Sequence, residues 1–216
     1  MAAGPHAAWK RQPRKTGVVP GRADSLQGPQ RKINDGGHRQ MNKEEMLEEV
    51  FKRAKAYELR GGNCAQCSLA AILEVLGVDD DNVVRAATGF ADGVGLSGDG
   101  HCGALSGGTM AISYFFGRKK EDLARMGKQL RALMLANKYH EQFVKEFSSC
   151  RCYDIQLKKY GRFFNLYDLE EMKAALAAGM PEGCSTLVGR ASQMALEIIL
   201  DEQAKKDKRT QLPVVS

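Results

Sequence analysis

No stretch of this sequence is apolar for long enough to cross a bilayer. Its longest uncharged run, Gly100–Gly117, is eighteen residues and too rich in Gly and Ser to span one. The chain does not open with the apolar core of a signal peptide either. No segment alternates apolar and polar residues for long enough to predict a strand. Most of the chain also lacks net charge. The overall +6 comes from residues 1–40, which hold eight Lys and Arg against two Asp and leave twenty-four basic and twenty-four acidic residues in 41–216. Nucleic-acid binding needs basic residues clustered on a folded face, and the balanced part offers no such cluster. Neither nucleic acid nor membrane is expected as a partner, and the expected location is cytoplasmic. A Ser-His-Asp order, a pair of carboxylates and a phosphate-cradling loop with lysine are missing too, which leaves hydrolase and kinase chemistry without residues.

Large apolar residues are scarce in residues 1–40, which carry four of the six prolines. Such a segment cannot bury enough surface to offset its ordering entropy. It is expected to be a disordered basic tail, read here as a non-native extension with "MNKEEM" at Met41 as the natural start. Residues 41–206 are expected to form one cysteine-rich helical domain, and 207–216 a flexible C-terminal tail. A domain of this size removes about 70% of its unfolded-chain surface from water and needs no disulfides. Its six cysteines therefore ask for a chemical explanation, as metal ligands or redox groups.

The periodicity predicts an all-α bundle of six to eight helices. Asn42 and Glu45 form a reciprocal N-cap for a helix that stops at "RGG", Arg60–Gly62. Asn63 caps a second helix, Cys64–Leu76, closed by Gly77, and Asp79, Asp80 and Asp81 cap a third. A helix follows Cys102. Leu123, Met126, Leu130, Leu133, Phe143 and Phe147 predict one long amphipathic helix from Lys119 to about Ser148. Asp168 with Glu171 starts a short helix that Gly179 closes, and the stripe from Leu187 to Ile199 predicts the last one.

On this map Cys64, Cys102 and Cys184 each fall in the first turn of a helix, behind Asn63, "GDGH" and "PEG". Free N–H groups and the positive end of the helix dipole favour thiolate there, the form that ligates metals and attacks disulfides. Cys64 and Cys67, at i and i+3, share a helix face. Cys150 and Cys152 would diverge by about 200° on a helix, so at most one of them points inward.

Nine glycines lie between Gly89 and Gly117. "GVGLSG", Gly93–Gly98, matches GxGxxG in letters but lacks the preceding strand, the helix opening from the loop and the downstream acid of a dinucleotide site. Gly103, Ala104, Gly107, Gly108 and Ala111 make a small-residue stripe that lets another backbone or a bulky inorganic group approach, so Gly103 and Gly107 are candidate cofactor contacts.

"CGALSG", Cys102–Gly107, with "NCAQ" at Asn63–Gln66, "FSSCRC" at Phe147–Cys152 and Cys184, resembles the C_GCAxxG_C_C family of redox-active proteins over Met41 to about Glu202. Members are small helical proteins of anaerobic bacteria, similar to the iron-sulfur-bearing part of split-Soret cytochromes. The resemblance places the four family cysteines on Cys64, Cys102, Cys152 and Cys184. It implies a cysteine-ligated metal or iron-sulfur site used in electron transfer or redox support with a partner redox protein. Cys67 and Cys150 depart from the family pattern and stand as possible further ligands. Four thiolates suit an iron-sulfur cluster and equally Zn²⁺. One alternative is a thiol-disulfide oxidoreductase, with Cys64 as a low-pKa nucleophile, Cys67 or Cys102 resolving, and His101 tuning Cys102. Another is a non-enzymatic domain that forms a homo-oligomer through the glycine stripe.

Overall fold

The computed structural model of the chain describes residues 41–210. The tail expected over 1–40, and residues 211–216 of the one expected at the C-terminus, lie outside the described residues. Eight α-helices and three 3₁₀ turns make up the architecture, with no strand among the described residues; a single antiparallel bridge joins His101 to Arg151. No described helix is long and apolar enough to cross a membrane.

Local capping sets most helix starts. For α1 (Lys43–Leu59), the Asn42 side chain accepts the Glu45 N–H at 3.0 Å while the Glu45 carboxylate accepts the Asn42 N–H at 2.9 Å. Asn63 accepts the N–H groups of Ala65 and Gln66 to open α2 (Cys64–Val75), and Asp80 opens the short α3 (Asp81–Ala86). Gly61 and Gly77 take left-handed φ values of +87° and +71°, a conformation that stops a helix and suits glycine. α4 spans Gly103–Phe116.

The single long helix expected over 119–148 is broken. Two 3₁₀ turns, Lys120–Asp122 and Met126–Gln129, precede α5, which runs Leu130–Phe147. The apolar spacing holds through this segment, but Leu123 and Met126 are 57% and 76% exposed, so no packing stabilises helix there. Next comes α6 (Cys152–Tyr160), a helix the periodicity did not indicate, stopped by left-handed Gly161. Asp168 caps α7 (Leu169–Ala177) as expected, and α8 starts at Met180, ahead of Pro181, and continues to Thr210, past the domain end expected at 206.

α1 and α8 lie antiparallel: Lys43 Nζ reaches Asp201 and Lys55 Nζ reaches Glu182, each at 2.6 Å. The pairs are exposed and add little; the buried residues between the helices hold them together. Leu69, Ile72, Leu105, Leu196 and Ile199 have at most 2% of their surface exposed, each burial being worth about 1.5–3 kcal/mol. α5 joins through Tyr139, whose buried hydroxyl donates to the carbonyls of Ala104 (3.2 Å) and Ala191 (3.1 Å) and ties α4 to α8.

Candidate functional site

α2 and α4 start side by side because the residue after Cys102 has no side chain. A Cβ on Gly103 would overlap Cys64 Sγ and stand 3.0 Å from the Ala65 nitrogen and the Phe90 carbonyl oxygen. Cys102 is the N-cap residue of α4 without making a capping bond, although the N–H groups of Ala104 and Leu105 face its sulfur. Cys152 is brought alongside by main-chain pairing. Cys102 N–H donates to the Cys150 carbonyl (2.8 Å), Cys152 N–H to Gly100 (3.1 Å) and Tyr153 N–H to Gly98 (2.9 Å). Cys184 comes from α8, with the Tyr160 hydroxyl 3.9 Å from its sulfur. "PEG" is part of the first turn of α8 and does not precede the helix as expected, so Cys184 lies one turn further in.

These four cysteines line one cavity of about 110 Å³, walled also by Glu58, Asp92, Leu96, Ile155, Gln156, Leu166 and Leu187. One water needs roughly 10–15 Å³ by this kind of measure, so the space suits a group of several atoms. Among the described residues, no three His, Cys, Asp or Glu side chains form a group that could hold a single metal ion. The thiols surround a volume, and do not meet at a point.

Two carboxyl groups complete the wall. Asp92 Oδ1 accepts from Cys152 Sγ at 2.8 Å and from Gln156 Nε2 at 2.7 Å. Asp92 Oδ2 and Glu58 Oε2 are buried without a hydrogen-bond partner. Burial raises both carboxyls above their ordinary values. Neither had a sequence signal: Glu58 is one of several acids on α1, and a lone Asp in a glycine loop looks like a turn residue exposed to water.

Helix starts do not produce low-pKa thiols here. Burial pushes Cys102 up to about 12, Cys67 to about 12 and Cys184 to about 11, and lifts Cys64 and Cys152 as well. The N–H groups of Ala104 and Leu105 pull Cys102 the other way, but losing hydration outweighs the partial charges of a helix end. The expectation of Cys64 as a low-pKa nucleophile is therefore corrected.

The remaining candidates fall elsewhere. Cys67 is not a cavity wall: its sulfur fills the space left by Gly62 and interacts with Glu58. Cys150 packs half-buried against the main core and contributes its carbonyl. All six cysteines are free thiols. His101 is exposed, its ring 6.2 Å from that of His140, and does not line the cavity. Gly107 faces a backbone and not the cavity, since its Cβ would overlap the Ala65 carbonyl; a Cβ on Gly108 would meet the Tyr139 ring. The small-residue stripe is thus buried inside the bundle, where it lets α2 and Tyr139 pack closely on α4. "GVGLSG" follows a 3₁₀ turn, Thr88–Phe90, and folds back on itself, with Gly98 N–H donating to the Asp92 carbonyl at 2.8 Å.

Comparison with curated proteins and with solved structures returned no match. The sequence pattern of the family described as "Putative redox-active protein (C_GCAxxG_C_C)" matches residues 62–198, a span that holds all four cavity cysteines. The chain belongs to the C_GCAxxG_C_C family.

Proposed function

We propose that the protein is an electron carrier that holds an iron-sulfur cluster on Cys64, Cys102, Cys152 and Cys184 and exchanges electrons with a partner redox protein. One observation carries this reading: four thiols and two partnerless carboxyl oxygens wall a single cavity. Among the described residues that line it, Lys159 is the one cationic side chain, and its ammonium group donates to the Gly183 carbonyl at 2.7 Å. Such a wall suits a cation. Burial opposes free thiolates, and a metal reverses that by taking the place of the thiol protons. The spread of the sulfurs favours a polynuclear group over one zinc ion, whose four sulfurs must each lie about 2.3 Å from a common point.

Bound there, a cluster supplies a one-electron couple. The chain's own residues set the conditions for it. Leu96, Ile155, Leu166 and Leu187 give it an apolar surround, while the N–H groups of Asp92, Ala104 and Leu105 face the sulfurs of Cys64 and Cys102 and stabilise negative charge on them.

The test is anaerobic purification of the full chain, loading with ferrous iron and sulfide, and measurement of visible absorption, iron, sulfide and zinc. Brown protein with iron and sulfide in stoichiometric ratio, lost in Cys102→Ser, is the expected result. Colourless protein carrying one zinc, or no metal at all, overturns the proposal.

A further inference from the structure

We infer that Asp92 supplies an oxygen ligand to one iron of this centre, enlarging the set of sulfurs that iron already carries, an assignment that rests on the metal-site reading above. Asp92 is 6% exposed and lines the cavity, and its Oδ2 has no partner in the protein. A buried carboxyl oxygen without a partner is costly unless it is paired or coordinates a metal. Hydrogen bonding accounts for Oδ1 alone. Gln156, 1% exposed, is held by the Phe164 N–H donating to its Oε1 at 3.2 Å, which fixes the Gln156 nitrogen on Oδ1 and leaves Oδ2 over.

The loop is built to keep that carboxyl inside. Asp92 adopts a left-handed φ of +45°, uncommon for a residue with a side chain. Gly93, at +75°, packs so closely on Gly98 that a Cβ would stand 2.6 Å from its carbonyl carbon. Gly100 N–H closes the loop on the Gly93 carbonyl at 2.9 Å.

Charge gives the second argument. Cys152 Sγ and Asp92 Oδ1 lie 2.8 Å apart. A metal held by the Cys152 sulfur therefore lies beside the Asp92 carboxyl, which is placed to share its positive charge. Iron accepts carboxylate oxygen as well as thiolate sulfur. Glu58 also lines the cavity but is not assigned this role, because the residue is only half-buried and its carboxyl already interacts with Cys67.

The experiment is iron-edge X-ray absorption on the full chain loaded anaerobically with ferrous iron and sulfide, wild type beside Asp92→Gly. Glycine tolerates the left-handed backbone at this position, so the variant removes the carboxyl without imposing strain. The expected result is an oxygen shell next to a dominant sulfur shell in the wild type, with the oxygen shell lost in D92G. An all-sulfur shell in fully loaded wild type overturns the assignment and leaves the cluster reading standing. An oxygen shell that persists in D92G assigns the oxygen to solvent and also overturns it. Wild-type protein that takes up no iron overturns both. Should D92G fail to fold, the wild-type spectrum still decides between an all-sulfur and a mixed shell.

Discussion

Gly103 and Gly107 sit one turn apart on α4, and substituting each by Ala should rank in one order for loss of stability and in the reverse order for damage to the site. Both lie in helical backbone, so the added methyl gains about 1 kcal/mol of helix propensity in the helix interior, and less at the first turn. At Gly107 the new Cβ overlaps the Ala65 carbonyl and stands 3.1 Å from Ser68 Cβ. Main chain cannot rotate aside, so α2 and α4 must separate. Overpacking of this kind costs about 1–3 kcal/mol, and a backbone clash belongs at the upper end, which leaves a net loss of about 2 kcal/mol after the propensity gain. At Gly103 the deepest overlap is with Cys64 Sγ, a short side chain that can turn about χ1. The stability loss there should be nearer 1 kcal/mol, but Cys64 leaves the cavity wall. Urea unfolding of the metal-free chain, with a slope of about 2 kcal/mol/M, should therefore show the midpoint of Gly107→Ala lowered by about 1 M and that of Gly103→Ala by about half as much. Iron uptake should follow the reverse order: Gly103→Ala impaired, Gly107→Ala near wild type while folded. Equal midpoints with equal iron content would refute the claim that one glycine serves helix packing and the other serves the sulfur.

Ser in place of Cys152 or Cys184 should strip iron from loaded protein, whereas Ser in place of Cys150 or Cys67, neither of which lines the cavity, should leave iron content after desalting unchanged. The metal-free chain should lose stability in alkali. Cys102 is pushed up to about 12 and Cys184 to about 11 in the fold, while unfolded thiols titrate near about 8.5. Their contribution is thus full below about pH 8.5 and lost as pH rises toward 12. Unfolding free energies measured across that window should fall less steeply in Cys102→Ser. Tyr139→Phe removes the hydroxyl shared by the Ala104 and Ala191 carbonyls. It should cost about 1 kcal/mol, read as a drop of about 2–4 °C in thermal midpoint; no change would mean that the hydroxyl does not tie α4 to α8.

Helix starts were legible wherever the stabilising contact spans only a few residues. Asn42 with Glu45, Asn63, Asp80 and Asp168 each satisfy N–H groups within three positions of themselves, so their letters carry their geometry. The break before α5 was not legible, because the spacing of Leu123, Met126 and Leu130 satisfies a helical period whether or not a partner surface covers it. α6 left a weaker mark, with Asp154 in its first turn, Lys158 and Lys159 in its last and Gly161 beyond, but its apolar pattern is too short to register. The likeness to a redox family pointed to Cys64, Cys102, Cys152 and Cys184, and all four line the cavity. That Cys152 lines it and Cys150 does not was settled by main-chain bonds to Gly98, Gly100 and Cys102.

The carboxyls show where sequence stops. Asp92 meets Cys152 across sixty positions of chain, and its burial depends on α6, the glycine loop and the segment at Phe164 packing together. The sequence by itself determined most helix starts, their caps and the supply of sulfur, since those follow from propensity, local hydrogen bonding and residue type. Only the tertiary structure decided which sulfurs and oxygens share one dry space and how far burial raises their proton affinity, because desolvation and Coulomb interaction depend on distances that exist only once the bundle has closed.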